Sequence, residues 1–193
     1  VIHTWRGENP PSMESVRLLV SEGRLRGSGR LVVASDPAAG IEAYNASFEL
    51  GVDKTADSGR LLVRSTTAEE ERTVSLSRSE DGVWLVDHGR GDSGAERSDF
   101  DGAADIDLAG AVTFNALPIR RLGLHREPGE HELAVVWVTL PDLTVHVVRQ
   151  TYSTVSIGER ESVVRFAQDD FTADITVDSD GVVITYPGIS SRV

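Results

Sequence analysis

Short runs of valine, isoleucine and leucine alternate with polar residues along the whole 193-residue chain, each closed off by glycine, proline, aspartate or serine. A period of two sends successive side chains to opposite faces of a strand, so such runs specify β-strands with one buried and one solvated face. The plainest case is residues 133–140 and 143–148, two β-branched runs around Pro141-Asp142, which read as a hairpin. Two more hairpins carry Asp-Gly: residues 73–76 with 83–86 across Asp81-Gly82, and 173–177 with 182–185 across Asp180-Gly181. Asp-Gly suits the positive φ angles of a tight hairpin turn. Each of these two follows a strand candidate that carries an arginine, at residues 61–65 and 162–166. The parallel suggests two related halves meeting near Gly89-Arg90-Gly91-Asp92-Ser93-Gly94, although any meander of hairpins looks self-similar.

Residues 16–20, 30–34 and 42–50 read as further strands, and the polar stretch 53–59 as an exposed loop. Residues 12–19 admit a short helix capped by Ser12, with a strand the preferred reading. The best helix signal lies at 113–121, where Pro118 requires the helix to be short or to begin there. Gly27-Ser28-Gly29 lacks the third glycine and the following helix of a nucleotide-binding loop, and reads as a turn. Repeated helical segments, which a βαβ architecture needs, are missing. The expectation is a mainly β sandwich, barrel or roll, a single domain over residues 1–193.

Composition narrows the functional classes. A formal net charge of −12 argues against nucleic acid and against docking on anionic membranes, both of which need cationic surface. With no cysteine, thiolate metal sites, disulfides and a cysteine nucleophile are excluded. No apolar run reaches the length of a membrane-spanning helix. Residues 1–8 lack the basic and then apolar pattern of a signal peptide, so a cytoplasmic location is expected, with a trimmed leader as the alternative.

No catalytic constellation stands out. The five histidines, His3, His88, His125, His131 and His146, have no metal-ligand spacing, although His125 and His131 flank a turn. There is no Gly-x-Ser-x-Gly elbow and no Walker loop. Asp105 and Asp107 alternate on one strand candidate and share a face; on an acidic chain such pairs are more often surface residues than glycosidase acids. The reading is therefore a non-enzyme, without catalytic residues, metal or cofactor.

The binding candidates are more specific. Arg120 and Arg121 sit between apolar residues, and a guanidinium cannot shed its charge, so the fold must place both. Either one pairs with an internal carboxylate and the other faces solvent, or one points into a cavity and grips a ligand head group. Trp137, Tyr152 and Tyr186 lie in or near strand candidates and suit either core packing or the wall of a pocket for an amphipathic molecule.

Three stretches together resemble a bacterial family labelled putative glycolipid-binding. They are Asp105-Ile106-Asp107-Leu108 with Asn115-Ala116-Leu117-Pro118-Ile119-Arg120-Arg121-Leu122; Val136 to Leu143 followed by Gln150-Thr151-Tyr152; and Val177 to Gly188, ending Tyr186-Pro187-Gly188. Trp5 and Glu14 echo the family's opening, and the likeness spans nearly the whole chain. Family members usually carry threonines where this chain has Ala111, Val112, Phe114 and Ala116. The resemblance implies an antiparallel spiral β-roll, or half-barrel, wrapped around one short helix and often dimeric.

Three functions follow for testing. The first is non-catalytic binding of a glycolipid or other amphipathic small molecule in an apolar cavity, with Asn115 and Arg120 at its mouth and Arg121, Trp137, Tyr152 and Tyr186 as further contacts. The second is a structural or interaction module acting as a homodimer with no open cavity. The third, an enzyme with an unrecognised site, has no positive support in the sequence.

Overall fold

The computed structural model describes residues 1–53, 58–89 and 94–193. Among the described residues, fifteen strands form one sheet. The first eight are β1 (Ile2–Glu8), β2 (Pro11–Ser21), β3 (Arg24–Val33), β4 (Tyr44–Asp53), β5 (Ser58–Thr66), β6 (Glu71–Arg78), β7 (Trp84–Asp87) and β8 (Glu96–Ser98). The other seven are β9 (Asp105–Leu108), β10 (Glu130–Val138), β11 (Val145–Ser156), β12 (Glu161–Gln168), β13 (Phe171–Asp178), β14 (Val183–Tyr186) and β15 (Ser190–Arg192). Between β9 and β10 lie a 3₁₀ turn, Val112–Asn115, and one short α-helix, α1 (Ala116–Arg121).

Across the sheet the order runs from β8 down to β1 and then from β15 down to β9. Two meanders thus extend outward from a seam where the first and last strands pair, with Trp5 opposite Arg192. Neighbours are antiparallel except β9 and β10, which are parallel. A parallel pair cannot be joined by a tight turn, and the helical segment is the crossover that joins this one. The protein is therefore mainly β with a single short helix: the alternation implied the strands, and the family resemblance implied the one helix. Residues 12–19 belong to β2, so the preferred strand reading holds over the helix capped by Ser12.

The inner face of the sheet packs on the helical segment. β2 buries Glu14, Val16 and Leu18 at every second position, and β4 buries Ala46, Phe48 and Leu50 in the same way. The Phe48 ring meets Phe114 edge-on at 5.1 Å, and Phe114 and Ile119 are fully enclosed. Pro118 is the third residue of α1, within the first turn, where a missing N–H removes no intrahelical bond.

Both Asp-Gly hairpins form, with the same loop. Gly82 donates to Ser79 O while Ser79 donates to Val83 O; Gly181 donates to Asp178 O while Asp178 donates to Val182 O. Only the glycine of each pair takes positive φ, 82° and 74°, so the loops are three-residue turns closed by a glycine bulge rather than two-residue turns. The expected junction between related halves at residues 89–94 falls mostly on residues 90–93, which lie outside the described residues, as do residues 54–57 of the polar loop.

One expectation is corrected. Gly27-Ser28-Gly29 is not a turn but the middle of β3. A Cβ at Gly29 would come within 2.5 Å of the Phe48 ring and 2.7 Å of Val16. The absent Cβ leaves room for a large ring of the next strand to approach the backbone, a use of glycine in strands that looks like punctuation in sequence.

Candidate functional site

The residues singled out in the sequence gather around the helical segment, but they divide between two cavities. The first has a volume of about 640 Å³ and lies where the ends of β9, β10, β12, β13 and β14 meet the 3₁₀ turn. Asn115, Trp137 and Tyr186 line it. So do Phe166 and Phe171, which the sequence reading did not single out. Phe166, Phe171 and Tyr186 form a triangle of rings with centroids 5.9 to 6.2 Å apart. Phe171 is exposed, which is unusual for a phenylalanine beside a packed cluster and places an apolar ring at the mouth. Asp169 and Asp170, in the turn between β12 and β13, form an acidic rim. Asp169 has φ of 50°, a conformation uncommon outside glycine, so the turn at the rim is strained.

A chain of polar side chains runs behind this cavity. The Asn115 Nδ2 donates to Tyr152 Oη at 3.0 Å, and that hydroxyl donates to Gln150 Oε1 at 3.2 Å. Gln150 Nε2 in turn donates to Asp107 Oδ2 at 2.8 Å and to Gln168 Oε1 at 3.0 Å. Asn115, Asp107 and Gln168 reach the cavity, while Tyr152 is buried behind it and orients them. Burial pushes the Asp107 carboxyl up to about 6, with the Gln150 hydrogen bond opposing the shift. Burial also raises the Tyr152 and Tyr186 phenols, so both remain protonated donors at neutral pH. Trp137 meets the exposed His146 across the β10–β11 pair, rings edge-on at 5.4 Å.

The second cavity, about 270 Å³, lies at the other end of α1. Arg120 and Arg121 line this one, so the expectation that Asn115 and Arg120 share a mouth does not hold. They stand five residues apart, at the start and end of a helix too short to bring them to one opening. Arg121 forks onto Asp105, with Nε at 3.0 and 3.1 Å from the two carboxylate oxygens and Nη2 at 2.6 Å. Arg120 donates instead to the carbonyls of Asp180 and Ser21. The turn at Gly181 closes down on it: a Cβ there would lie 2.9 Å from Arg120 Cγ.

Asp105 and Asp107, two residues apart on β9, therefore serve different cavities. A third buried carboxylate, Glu14 of β2, was noticed in the sequence only as part of the chain's opening. It accepts from the backbone N–H of Val112 at 2.7 Å and of Thr113 at 3.4 Å, holding the free donors at the start of the 3₁₀ turn. Burial raises it to about 7, against the opposing pull of those hydrogen bonds. His125 is buried beside the second cavity while His131 is exposed on β10, and no group of three metal-binding side chains occurs among the described residues. No helix is long and apolar enough to cross a membrane, again among the described residues.

Residues 2–192 match the sequence profile of a family described as "Putative glycolipid-binding". No curated protein matches the chain. Among solved structures, the chain is similar to a DUF1089 family protein from Pseudomonas aeruginosa, 24% identical over 94% of this chain and 92% of that one, with a TM-score of 0.72. It is also similar to a β-barrel-like protein of the family DUF1849 from Brucella abortus, 11% identical over 100% of this chain and 94% of that one, with a TM-score of 0.57. At these identities the likeness is one of fold.

Proposed function

The chain belongs to the family described as putative glycolipid-binding, and from that premise we propose that it binds an amphipathic molecule with an uncharged, hydroxyl-bearing head in the larger cavity. The observation that carries this reading is the pairing, in one cavity of about 640 Å³, of an aromatic wall with a fixed row of amides and carboxylates. That volume is in the range of small-molecule sites, and a mostly apolar lining with a few placed polar groups is their usual character. The apolar part of the ligand lies against Trp137, Phe166, Phe171 and Tyr186. Its hydroxyls meet Asp107, Asn115 and Gln168, whose positions the polar chain fixes in advance. Carboxylates and amides accept from hydroxyls, and the acidic rim repels a phosphate head. The role is binding without catalysis.

Calorimetric titration with octyl glucoside, and with dihexanoylphosphatidic acid as the anionic counterpart, tests this reading. Saturable binding of the glycoside, weakened about tenfold by Trp137→Ala, supports it. Failure of the glycoside to bind, or displacement of bound glycoside by the anionic lipid, defeats it. The homodimer without an open cavity has less to favour it: outward-facing Met13 and Val32 pair in register across β2 and β3, but they make a small patch.

A further inference from the structure

The smaller cavity is unlike the rest of the molecule in charge. Five arginines line it, against the carboxylates of Glu22, Asp53 and Asp105. This occurs in a chain with a formal net charge of −12, whose surface elsewhere has every means to supply acidic partners. Two of the arginines are matched by carboxylates, Arg121 by Asp105 and Arg24 by Asp53. Arg120 and Arg126 are not. They donate only to backbone carbonyls, of Asp180 and Ser21 for Arg120 and of Ser179 for Arg126, and neither has a carboxylate within ion-pair distance among the described residues. Carbonyls satisfy donors without neutralising charge; Asp180 and Asp178 attract Arg120 only from beyond ion-pair distance, while Arg126 repels it.

The second observation is His125. Its side chain is 5% exposed, it lines this cavity, and neither ring nitrogen has a well-formed hydrogen bond. Burial and the neighbouring Arg126 hold its pKa below the ordinary value, with the Ile119 carbonyl pulling the other way, so the ring is neutral at pH 7 and carries one N–H donor. Buried polar groups are ordinarily paired, and an imidazole without a well-formed hydrogen bond, beside two guanidiniums that make no ion pair among the described residues, is a donor set with room for an acceptor.

We propose that this cavity is an anion site that takes a phosphoryl group, as inorganic phosphate or as a small phosphate ester, gripped by Arg120 and Arg126 with His125 as a third donor. At about 270 Å³ the space fits such a group but not an acyl chain, and Leu25, Val52 and Leu117 are its main apolar surfaces. Guanidinium is matched to phosphate because its planar fork can donate two parallel hydrogen bonds. The site is separate from the amphipathic cavity and shares none of its lining residues.

The test is calorimetric titration of the full chain with inorganic phosphate, repeated with glycerol 3-phosphate and with dihexanoylphosphatidic acid, alongside carbon-detected mapping of the histidine rings. The expected result is saturable phosphate binding below about 10 mM that weakens with added sodium chloride and moves the His125 ring resonances. Arg126→Gln, at an exposed position that keeps the fold, weakens it about tenfold, and Arg120→Gln weakens it at least as much. Trp137→Ala in the other cavity leaves phosphate binding unchanged. Equal affinity for phosphate and glycerol 3-phosphate identifies the phosphoryl group itself as the ligand, and tighter binding of the ester extends the site to its glycerol; both support the proposal. Absence of saturable binding overturns it, as does binding that Arg126→Gln leaves intact or binding confined to dihexanoylphosphatidic acid.

Discussion

The two cavities are built from one short piece of chain and have opposite characters. β9 supplies Asp107 to one and Asp105 to the other; the helical segment supplies Asn115 to one and Arg120 and Arg121 to the other. Around Asp107 the partners are neutral, with Gln150 donating to the carboxylate and aromatic rings beyond it. Around Asp105 the partner is a guanidinium at ion-pair distance. Residue type, strand and face are shared, so the difference between the two acids comes from what the crossover brings against them. The carboxyl matched by an amide has room to meet a ligand, whereas the one matched by a cation is held in an ion pair.

The strongest way to break that contrast is to remove the cation. Arg121→Met leaves Asp105, 4% exposed, without its counter-ion, and is expected to cost about 3 kcal/mol in urea unfolding. The double variant Asp105→Leu/Arg121→Met should recover most of the loss, because an apolar pair leaves no charge uncompensated. A single variant that loses less than about 1 kcal/mol would put Asp105 in contact with water and end the distinction.

Glu14 offers the next largest effect. Its folded-state value of about 7 lies above its ordinary 4.5, so the folded protein holds this proton more tightly than the unfolded chain does. A group raised in this way contributes fully below pH 4.5, and its contribution is lost as the pH rises through about 7. Across that window stability should fall by on the order of 3 kcal/mol, opposite in sign to the usual gain from ion-paired carboxylates. Glu14→Gln should remove the fall between pH 6 and 7 while retaining an acceptor for Val112 N–H; the raised Asp107 carboxyl accounts for a further fall below pH 6. A variant whose stability still falls between pH 6 and 7 as the parent's does would remove Glu14 as the cause.

Tyr152→Phe is a smaller perturbation aimed at the polar chain. It deletes the hydroxyl that accepts from Asn115 and donates to Gln150, leaving two buried amides short of a partner. The expected loss is about 1–2 kcal/mol, with weaker binding of octyl glucoside and unchanged binding of phosphate. Equal weakening of both ligands would mean that the two cavities are not independent.

How far these contrasts can be read from sequence depends on the range of the interaction. Strands and turns depend on neighbours, so the alternation in 133–148 and the Asp-Gly pairs located the hairpins correctly. Gly29 was misread because its reason is a ring on another strand, Phe48, and nothing local distinguishes a glycine making room from one making a turn. The bond from Val112 to Glu14 spans 98 residues, and an acid in an alternating strand gives no sign of which backbone it will hold. The candidate residues were legible as a set, because arginines and aromatics set among apolar residues are conspicuous. Their division between two cavities was not, since it follows from where a six-residue helix begins and ends. Phe166 and Phe171 carried a usable signal: they flank Gln168-Asp169-Asp170, a polar turn bracketed by two rings, which is what a pocket rim looks like in sequence.

Asp107→Asn is expected to change function most distinctly. The carboxyl titrates at about 6, above its ordinary 3.8, so it is neutral at pH 5 and mostly ionised at pH 7. An ionised carboxylate accepts more strongly from a sugar hydroxyl than a neutral acid does. Octyl glucoside should therefore bind more tightly as the pH rises through about 6, by roughly 1 kcal/mol or a factor of about five. The asparagine variant keeps an acceptor oxygen of similar size but has no proton to lose. Its affinity should sit near the low-pH value of the parent and stay level from pH 5 to pH 7. Phosphate binding, measured in the same buffers, should be indifferent to this substitution, because Asp107 does not line the arginine cavity. A parent protein whose glycoside affinity is level across pH 6 would show that the ligand head does not reach Asp107. The polar chain would then be a brace for β9, and the two acids of that strand would share a purely structural role.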